Sequence, residues 1–443
     1  GMGETEDSKE RARQVVEKIH LSHRTEIKKQ SEVKEGLEEK EQISGNREKE
    51  KIGHKFGNSD QEEKEQKSCN QTGGPVFLGA NCMGVISRPG GYDTWFIPEE
   101  KLPKDQTSRF HRAALISQSG AFMLNRTHQC PQLRPAYMIS MGNQTDLTLG
   151  DMVHYFKSSD KVDVIAIYAE GFNDLDGLEL CRGIHQAVLS GKEVIFYKAG
   201  RTPEGKAATS SHTASLAGDY MVCENCVRQA GAIVARNFME FQDLFFLAEN
   251  LSQKKIRGNR LAAVSGAGFE AVGMADSIHS DDFQMELARF EDKTVSKIRH
   301  ILERRKLNAF VTITNPLDIN PSADDETHAE ITAALVQDIN VDAIVLSLDP
   351  LSPSMKTLDD KKNSAYDMNA EDSIMNRIIS LVAGSDTPIV TVVDGGRLYD
   401  PLRDILMDHG VPVFTVCDRA VAAISLYVQG RLAADAIRGG HGI

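Results

Sequence analysis

Val194-Ile-Phe-Tyr-Lys-Ala-Gly-Arg-Thr-Pro-Glu-Gly-Lys-Ala-Ala-Thr-Ser-Ser-His-Thr-Ala-Ser-Leu-Ala-Gly-Asp-Tyr220 joins a strand-like run to a polar loop that carries a single histidine. The β-branched and aromatic residues Val194 to Tyr197 predict a buried strand of a parallel sheet. Gly200, Pro203 and Gly205 stop that strand and predict a loop at the sheet's carboxyl edge, where open α/β sheets bind their ligands. Beyond the loop, Ala214 to Ala217 favour a helix, and Ser210, Ser211 and Thr213 are placed to cap its first turn beside His212. Such a helix start favours a bound anion.

An imidazole there serves as a general base, a metal ligand, a nucleophile or simply a partner for its own backbone. No second His or Cys stands near His212 at metal-ligand spacing, so no metal site is assigned. No serine sits in a nucleophile-elbow pattern either. The hydroxyls and exposed N–H groups of the loop suit a histidine that carries a phosphoryl group, since three phosphate oxygens need donors. Gly200-Arg-Thr-Pro-Glu-Gly-Lys206 imitates half of a P-loop, but Ala207 replaces the hydroxyl residue that would hold Mg²⁺.

The same logic extends along the chain in both directions. Ala113-Ala-Leu-Ile116 predicts a strand whose exit, Ser117-Gln-Ser-Gly-Ala121, turns into a helix with Ser119 as cap and Gly120 at its start, another anion-binding geometry. Tyr137-Met-Ile-Ser-Met-Gly-Asn143 is the next strand and its exit. Val164-Ile-Ala-Ile-Tyr-Ala169 is an unbroken apolar strand that ends on Glu170, which puts a carboxylate on the ligand-binding edge. From about Ile256 a second α/β unit is expected, with strands at Leu261–Val264, Phe310–Ile313, Ala343–Leu348, Pro388–Val393 and Val411–Thr415. Ser265-Gly-Ala-Gly268 leaves the first of these as a Gly-rich turn without a full dinucleotide fingerprint.

Towards the N-terminus, Pro75-Val-Phe-Leu-Gly-Ala-Asn-Cys-Met-Gly-Val-Ile86 predicts a short buried strand and a glycine-flanked turn. Residues 4 to about 70 are dominated by Glu, Lys, Gln, Ser and Asn, a composition that buries too little surface to offset ordering entropy. Within them, Arg11 to Ile19 has the spacing of one amphipathic helix, and mobile, solvated chain is expected from there to about Gly73.

The chain has 443 residues, 40% of them hydrophobic and 26% charged, which fits a soluble protein of two or three domains. Its net charge of -13 argues against nucleic acid and anionic membrane as general partners. No apolar run in the sequence reads as a membrane span and the N-terminus lacks a signal-peptide core, so a cytoplasmic location is expected. The seven cysteines are scattered and read as reduced thiols, and Cys223-x-x-Cys226 reads as helix packing.

Lys198-Ala-Gly-Arg-Thr with Ser211-His-Thr-Ala-Ser-Leu-Ala-Gly218 resembles the phosphohistidine loop of the α subunit of NDP-forming acyl-CoA synthetases, the ADP-forming acetyl-CoA synthetase relatives of succinyl-CoA synthetase. The likeness runs in order and spacing from Gly74 onward. Gly79-Ala-Asn-Cys-Met-Gly84 is similar to the family's Gly-Pro-Asn-Cys-x-Gly segment, with Ala80 in place of proline, and Gly1-Met-Gly-Glu-Thr5 is similar to a turn that precedes it. Asn315-Pro-Leu-Asp318 resembles the Asn-Pro-x-Asp turn of the family's third domain.

The resemblance implies an α/β architecture of two doubly wound, flavodoxin-like or Rossmann-like ligase domains preceded by a truncated CoA-binding remnant. Residues 1–73 would be the charged segment with part of that remnant, 74–111 its C-terminal end, 112–252 the phosphohistidine domain and 253–443 a third ligase domain. It also implies roles: His212 as nucleophile, Glu170 as the carboxylate that orients it, Ser119, Gly120, Ser211 and Thr213 around phosphate, and Asn81, Gly142 and Asn143 near CoA and the acyl group. The implied reaction interconverts acyl-CoA, phosphate and ADP with carboxylic acid, CoA and ATP. CoA would be a substrate, ADP/ATP and Mg²⁺ would be held by a partner ATP-grasp β subunit, and the assembly would be a hetero-oligomer. Because the family's first strands and its Gly-rich CoA-phosphate loop have no counterpart here, a non-catalytic binding or assembly subunit is the alternative. A CoA-dependent acyltransferase is a third.

Overall fold

A computed structural model describes residues 10–11, 13–21, 75–103, 109–212 and 219–440. Two sheets organise them. The first has seven strands in the order β2-β1-β4-β3-β5-β6-β7: β1 is Val85–Ser87, β2 Tyr92–Asp93, β3 His111–Ser117, β4 Pro135–Ser140, β5 Val164–Ala169, β6 Glu193–Lys198 and β7 Ile233–Ala235. Strands β3 to β7 run parallel, and each of the expected runs at Ala113, Tyr137, Val164 and Val194 lies in one of them. All six residues of β5 are buried, as a parallel strand covered on both faces requires.

The hairpin β1–β2 adds antiparallel to β4, so residues 85–93 extend the same sheet that continues through β7. The buried strand expected at Pro75 does not form. Val76 is exposed, and strand pairing begins only at Val85, because residues 75–80 bond through scattered contacts such as Phe77 N–H to the Asp146 carboxylate (2.9 Å). The amphipathic segment is helical over residues 13–21. His20 Nε2 lies 3.0 Å from the Pro75 carbonyl and 3.4 Å from Asp146, and the Arg13 guanidinium donates to Asn173 Oδ1 at 3.0 Å. Residues 22–74, where mobile chain was expected, and the turn at Gly1–Thr5 lie outside the described residues.

The second sheet is parallel, in the order β10-β8-β11-β12-β13 with β9 beside β8. Its strands are β8 Arg260–Ser265, β9 Glu286–Leu287, β10 Leu317–Asp318, β11 Ala343–Ser347, β12 Ile389–Val392 and β13 Val413–Phe414. The strand expected at Phe310–Ile313 is irregular, and Phe310 is 73% exposed. The Asn315 side chain takes the place of a strand there: its Oδ1 accepts from Ala263 N–H (3.0 Å), and its Nδ2 donates to the carbonyls of Leu261 (2.7 Å) and Ala288 (3.0 Å). A carboxamide that reproduces main-chain donors and acceptors satisfies β8 without a ladder.

The last helix, Cys417–Arg438, unites the two sheets. By length and composition it is apolar enough to cross a membrane, yet half of its apolar window is buried inside the protein. Tyr427 and Ile424 share one core with Phe241 and Phe245 of the first unit and Leu261 and Val390 of the second. Gly430 permits the approach, since a Cβ there would stand 2.4 Å from Ile233 Cγ1.

Candidate functional site

The carboxyl ends of β3, β4 and β5 open into a cavity of about 520 Å³. Asn81, Ser119, Gly120, Gly142, Asn143 and Glu170 all line it, together with Cys82, Met83, Phe96, Gln118, Ala208 and Thr209. Residues that stand up to 128 positions apart in the chain (Asn81 to Thr209) thus meet at the sheet edge where α/β folds place ligands.

Each strand delivers its group through a tight exit. After β3, Ser119 caps the helix Gly120–Gln129, with its hydroxyl accepting from Phe122 N–H at 3.2 Å. The N-terminal N–H groups of that helix give the cavity a partial positive charge. Ser119→Ala is expected to lower stability by about 1 kcal/mol, the usual cost of losing such a cap, as read from a urea melt. After β4, Gly142 (φ +58°) brings the chain against the turn at Ala80, and Asn143 N–H donates to the Ala80 carbonyl at 2.9 Å. After β5, Glu170 projects from the strand end, and its Oε1 accepts from the Tyr168 hydroxyl at 3.2 Å. Burial, then the neighbouring Glu170, raises the Tyr168 pKa and keeps the phenol protonated as that donor.

The segment after β6 differs from expectation. Pro203–His212 is a helix, so the polar loop is only Ala199–Thr202 and His212 closes the described part of that helix. Pro203 was read as a breaker, but proline at a first helical position presets φ and gives up an N–H that has no helical partner there. Thr202 Oγ1 accepts from Gly205 N–H at 3.0 Å, and Lys206, Ala207 and Ala208 continue the helix. Ser210 and Ser211 are thus helical residues of Pro203–His212. Thr213 and the helix formers Ala214 to Ala217 lie outside the described residues, as do the side chains of Ser210, Ser211 and His212, and with them the expected cap. Ala208 and Thr209 put this helix on the cavity wall, with His212 one turn beyond Thr209.

Two groups under the cavity carried no assignment in the sequence. Gln118, 4% exposed, accepts through Oε1 from the N–H groups of Glu170 (2.7 Å) and Gly171 (3.1 Å). Lys198, 1% exposed, donates to the carbonyls of Glu170 and Ala199, each at 2.7 Å. A polar residue closing a buried strand was the available signal for Lys198; Gln118 shows its role only through contacts with a different strand. Among the described residues, no group of His, Cys, Asp and Glu side chains is arranged to hold a metal ion.

Residues 111–248 match the model of the succinyl-CoA ligase like flavodoxin domain. The chain is also 27% identical over 381 residues to acetate–CoA ligase [ADP-forming] II subunit alpha of Pyrococcus furiosus, covering 85% of this chain and 76% of that one. These matches make the chain similar to the ADP-forming acetate–CoA ligases, with a succinyl-CoA ligase like flavodoxin domain over residues 111–248. Acetate–CoA ligase [ADP-forming] I of Archaeoglobus fulgidus is a more identical but longer relative, 30% over 357 residues, of which the chain spans 46%. The dinucleotide forming acetyl-coenzyme A synthetase 1 of Ca. Korarchaeum cryptofilum, solved in complex with phosphate and ADP, has the same fold: the TM-score is 0.69 at 24% identity, over 88% of this chain and 79% of that one. The matched flavodoxin domain contains β3 to β7, and with them Ser119, Gly120, Gly142, Asn143, Glu170 and His212.

Proposed function

We propose that this chain is the α-type part of an NDP-forming acyl-CoA synthetase, an acid–thiol ligase that works through a phosphohistidine at His212. The supporting observation is the single cavity that gathers Asn81, Ser119, Gly120, Gly142, Asn143 and Glu170, walled by the helix that ends at His212. In the proposed sequence a phosphate oxygen attacks the thioester carbon of acyl-CoA, and the CoA thiolate leaves. An imidazole nitrogen of His212 then attacks phosphorus, the carboxylate leaves, and a terminal oxygen of ADP finally takes the phosphoryl group and frees the ring.

In this scheme Glu170 accepts the other ring N–H and fixes the tautomer. The helix start at Ser119 and Gly120 holds phosphoryl oxygens, with Ser211 and Thr213 as further donors. Asn81, Gly142 and Asn143 bound the CoA and acyl side. Such chemistry needs mainly positioning and charge stabilisation. Residues 112–252 act as the phosphohistidine domain, 253–443 as a third ligase domain, 74–111 as the end of a CoA-binding domain and 1–73 as a charged segment. A partner ATP-grasp β subunit supplies nucleotide and Mg²⁺ in a cytoplasmic hetero-oligomer.

The test is transfer of label from γ-labelled ATP in the presence of an ATP-grasp partner. Wild type is expected to acquire an acid-labile, base-stable phosphoryl group, and His212→Ala none. Equal labelling of the two proteins would overturn the assignment.

A further inference from the structure

The main chain at Glu170 is held from both sides by side chains that have almost no contact with solvent. Gln118 Oε1, on the exit of β3, receives the N–H of Glu170 at 2.7 Å and that of Gly171 at 3.1 Å. The Lys198 ammonium, on the last residue of β6, donates to the Glu170 carbonyl at 2.7 Å. Strand β5 lies between β3 and β6, so its two sheet neighbours fix the peptide groups on either side of the cavity carboxylate. A carboxamide would suffice to satisfy carbonyls. A lysine is costly there, because burying an ammonium requires compensation that two carbonyls provide only in part.

The compensation available nearby is anionic charge on Glu170. Burial lowers the Lys198 pKa, and Cys223 and then Glu170 oppose that shift. Among the described residues, the other titratable groups around the pair include Tyr168 on β5, Tyr197 on β6, Lys206 on the helix Pro203–His212 and Cys223 on the helix Tyr220–Gln229. Tyr168, Tyr197 and Cys223 have their pKa values raised by burial, the thiol to about 12, so all three are neutral at physiological pH.

We propose that Lys198 is a positioning residue for Glu170: its buried ammonium, working with the Gln118 carboxamide, locks the end of β5 and keeps the Glu170 carboxylate ionised at the cavity wall, ready to accept a hydrogen bond. The proposal deepens the phosphohistidine reading and rests on it for its catalytic meaning.

The experiment is a carboxyl ¹³C NMR titration of the full chain with labelled glutamate, in which the Glu170 signal is assigned by its loss in Glu170→Gln. Lys198→Gln keeps a donor at the strand end and removes the charge; Lys198→Met removes both. The Glu170 pKa is expected to rise by about one unit in each variant, the size of shift that follows the loss of a nearby cation. With the ATP-grasp partner present, the acid limb of the labelling rate is expected to move upward by the same amount, which a merely structural role would not produce. An unchanged Glu170 titration in Lys198→Gln, with the variant folded, would overturn the proposal. The titration needs no turnover, so a wild type that takes no label at His212 would remove the functional reading while the Lys198 result still stands or falls by itself.

Discussion

Arg431→Leu is expected to lower the free energy of unfolding by about 3–5 kcal/mol at neutral pH, the cost of removing one partner from a buried ion pair. Arg431 Nη1 lies 2.6 Å from Glu193 Oε1 and 3.0 Å from the Tyr427 hydroxyl, and that hydroxyl donates to Glu193 Oε2 at 2.9 Å. Glu193 opens β6 in the first sheet, while the other two residues sit one turn apart on the last helix. The triad therefore ties the second unit to the strand that leads into the candidate site. Leucine leaves a buried carboxylate with the Tyr427 hydroxyl as hydrogen-bond donor and only the more distant charge of Arg438 to offset it.

Burial pushes Glu193 up to about 7, with Arg431 as the largest opposing influence. An acid whose folded pKa exceeds its unfolded value of 4.5 contributes stability that is fully present below that unfolded value and is lost as pH rises through the folded one. Without the guanidinium the folded pKa rises further, so the deficit of Arg431→Leu should be small near pH 4.5 and grow towards and above pH 7. Urea unfolding at the two ends of that range checks this. The double variant Glu193→Leu/Arg431→Leu should recover much of the loss, because it leaves no uncompensated charge. An equal deficit at both pH values would mean that lost packing, not charge burial, dominates.

The second large effect belongs to Gly142→Ala. A Cβ at this residue would stand 2.2 Å from the Ala80 carbonyl oxygen and 2.7 Å from that of Asn81, and its φ of +58° is one that alanine resists. The expected cost is about 3 kcal/mol from collision and backbone strain together. Relief requires the turn at residues 79–81 to retreat, breaking the bonds from Asn143 N–H to Ala80 (2.9 Å) and Thr145 N–H to Gly79 (2.8 Å). Asn81 would then leave the cavity wall, so the rate of histidine labelling should fall along with stability. Gly191→Ala is the control: its φ of +86° is also positive, but nothing lies within 4 Å of its Cβ. A Gly142→Ala protein that matches this control in its urea midpoint and reacts at the wild-type rate would refute the close-approach argument.

Most of the site was legible because its residues close strands. Glu170 follows six apolar residues, Ser119 and Gly120 open a helix directly after β3, and Gly142-Asn143 leaves β4. Period and punctuation are local properties, and the rule that parallel strands present their carboxyl ends to ligands turns them into a site. The errors were local too. Pro203 and Gly205 read equally well as a loop or as a proline-initiated helix, and what settles between them, the bond from Gly205 N–H to Thr202 and the packing of Ala208 and Thr209 against the cavity, lies outside any propensity. The apolar run at Phe310–Ile313 has strand composition, but its place beside β8 is taken by one asparagine side chain.

By itself the sequence determined two parallel α/β units, the order of their strands along the chain and the carboxyl-edge position of Glu170, Ser119 and Asn143, since hydrophobic period and turn residues act over a few positions. Tertiary structure alone decided that the hairpin at residues 85–93 extends the first sheet, that Gln118 and Lys198 grip the peptide groups of Glu170, and that Arg431 meets Glu193 across 238 residues of chain. Those contacts join groups with no local signature, because a buried donor finds whichever acceptor packing brings within about 3 Å.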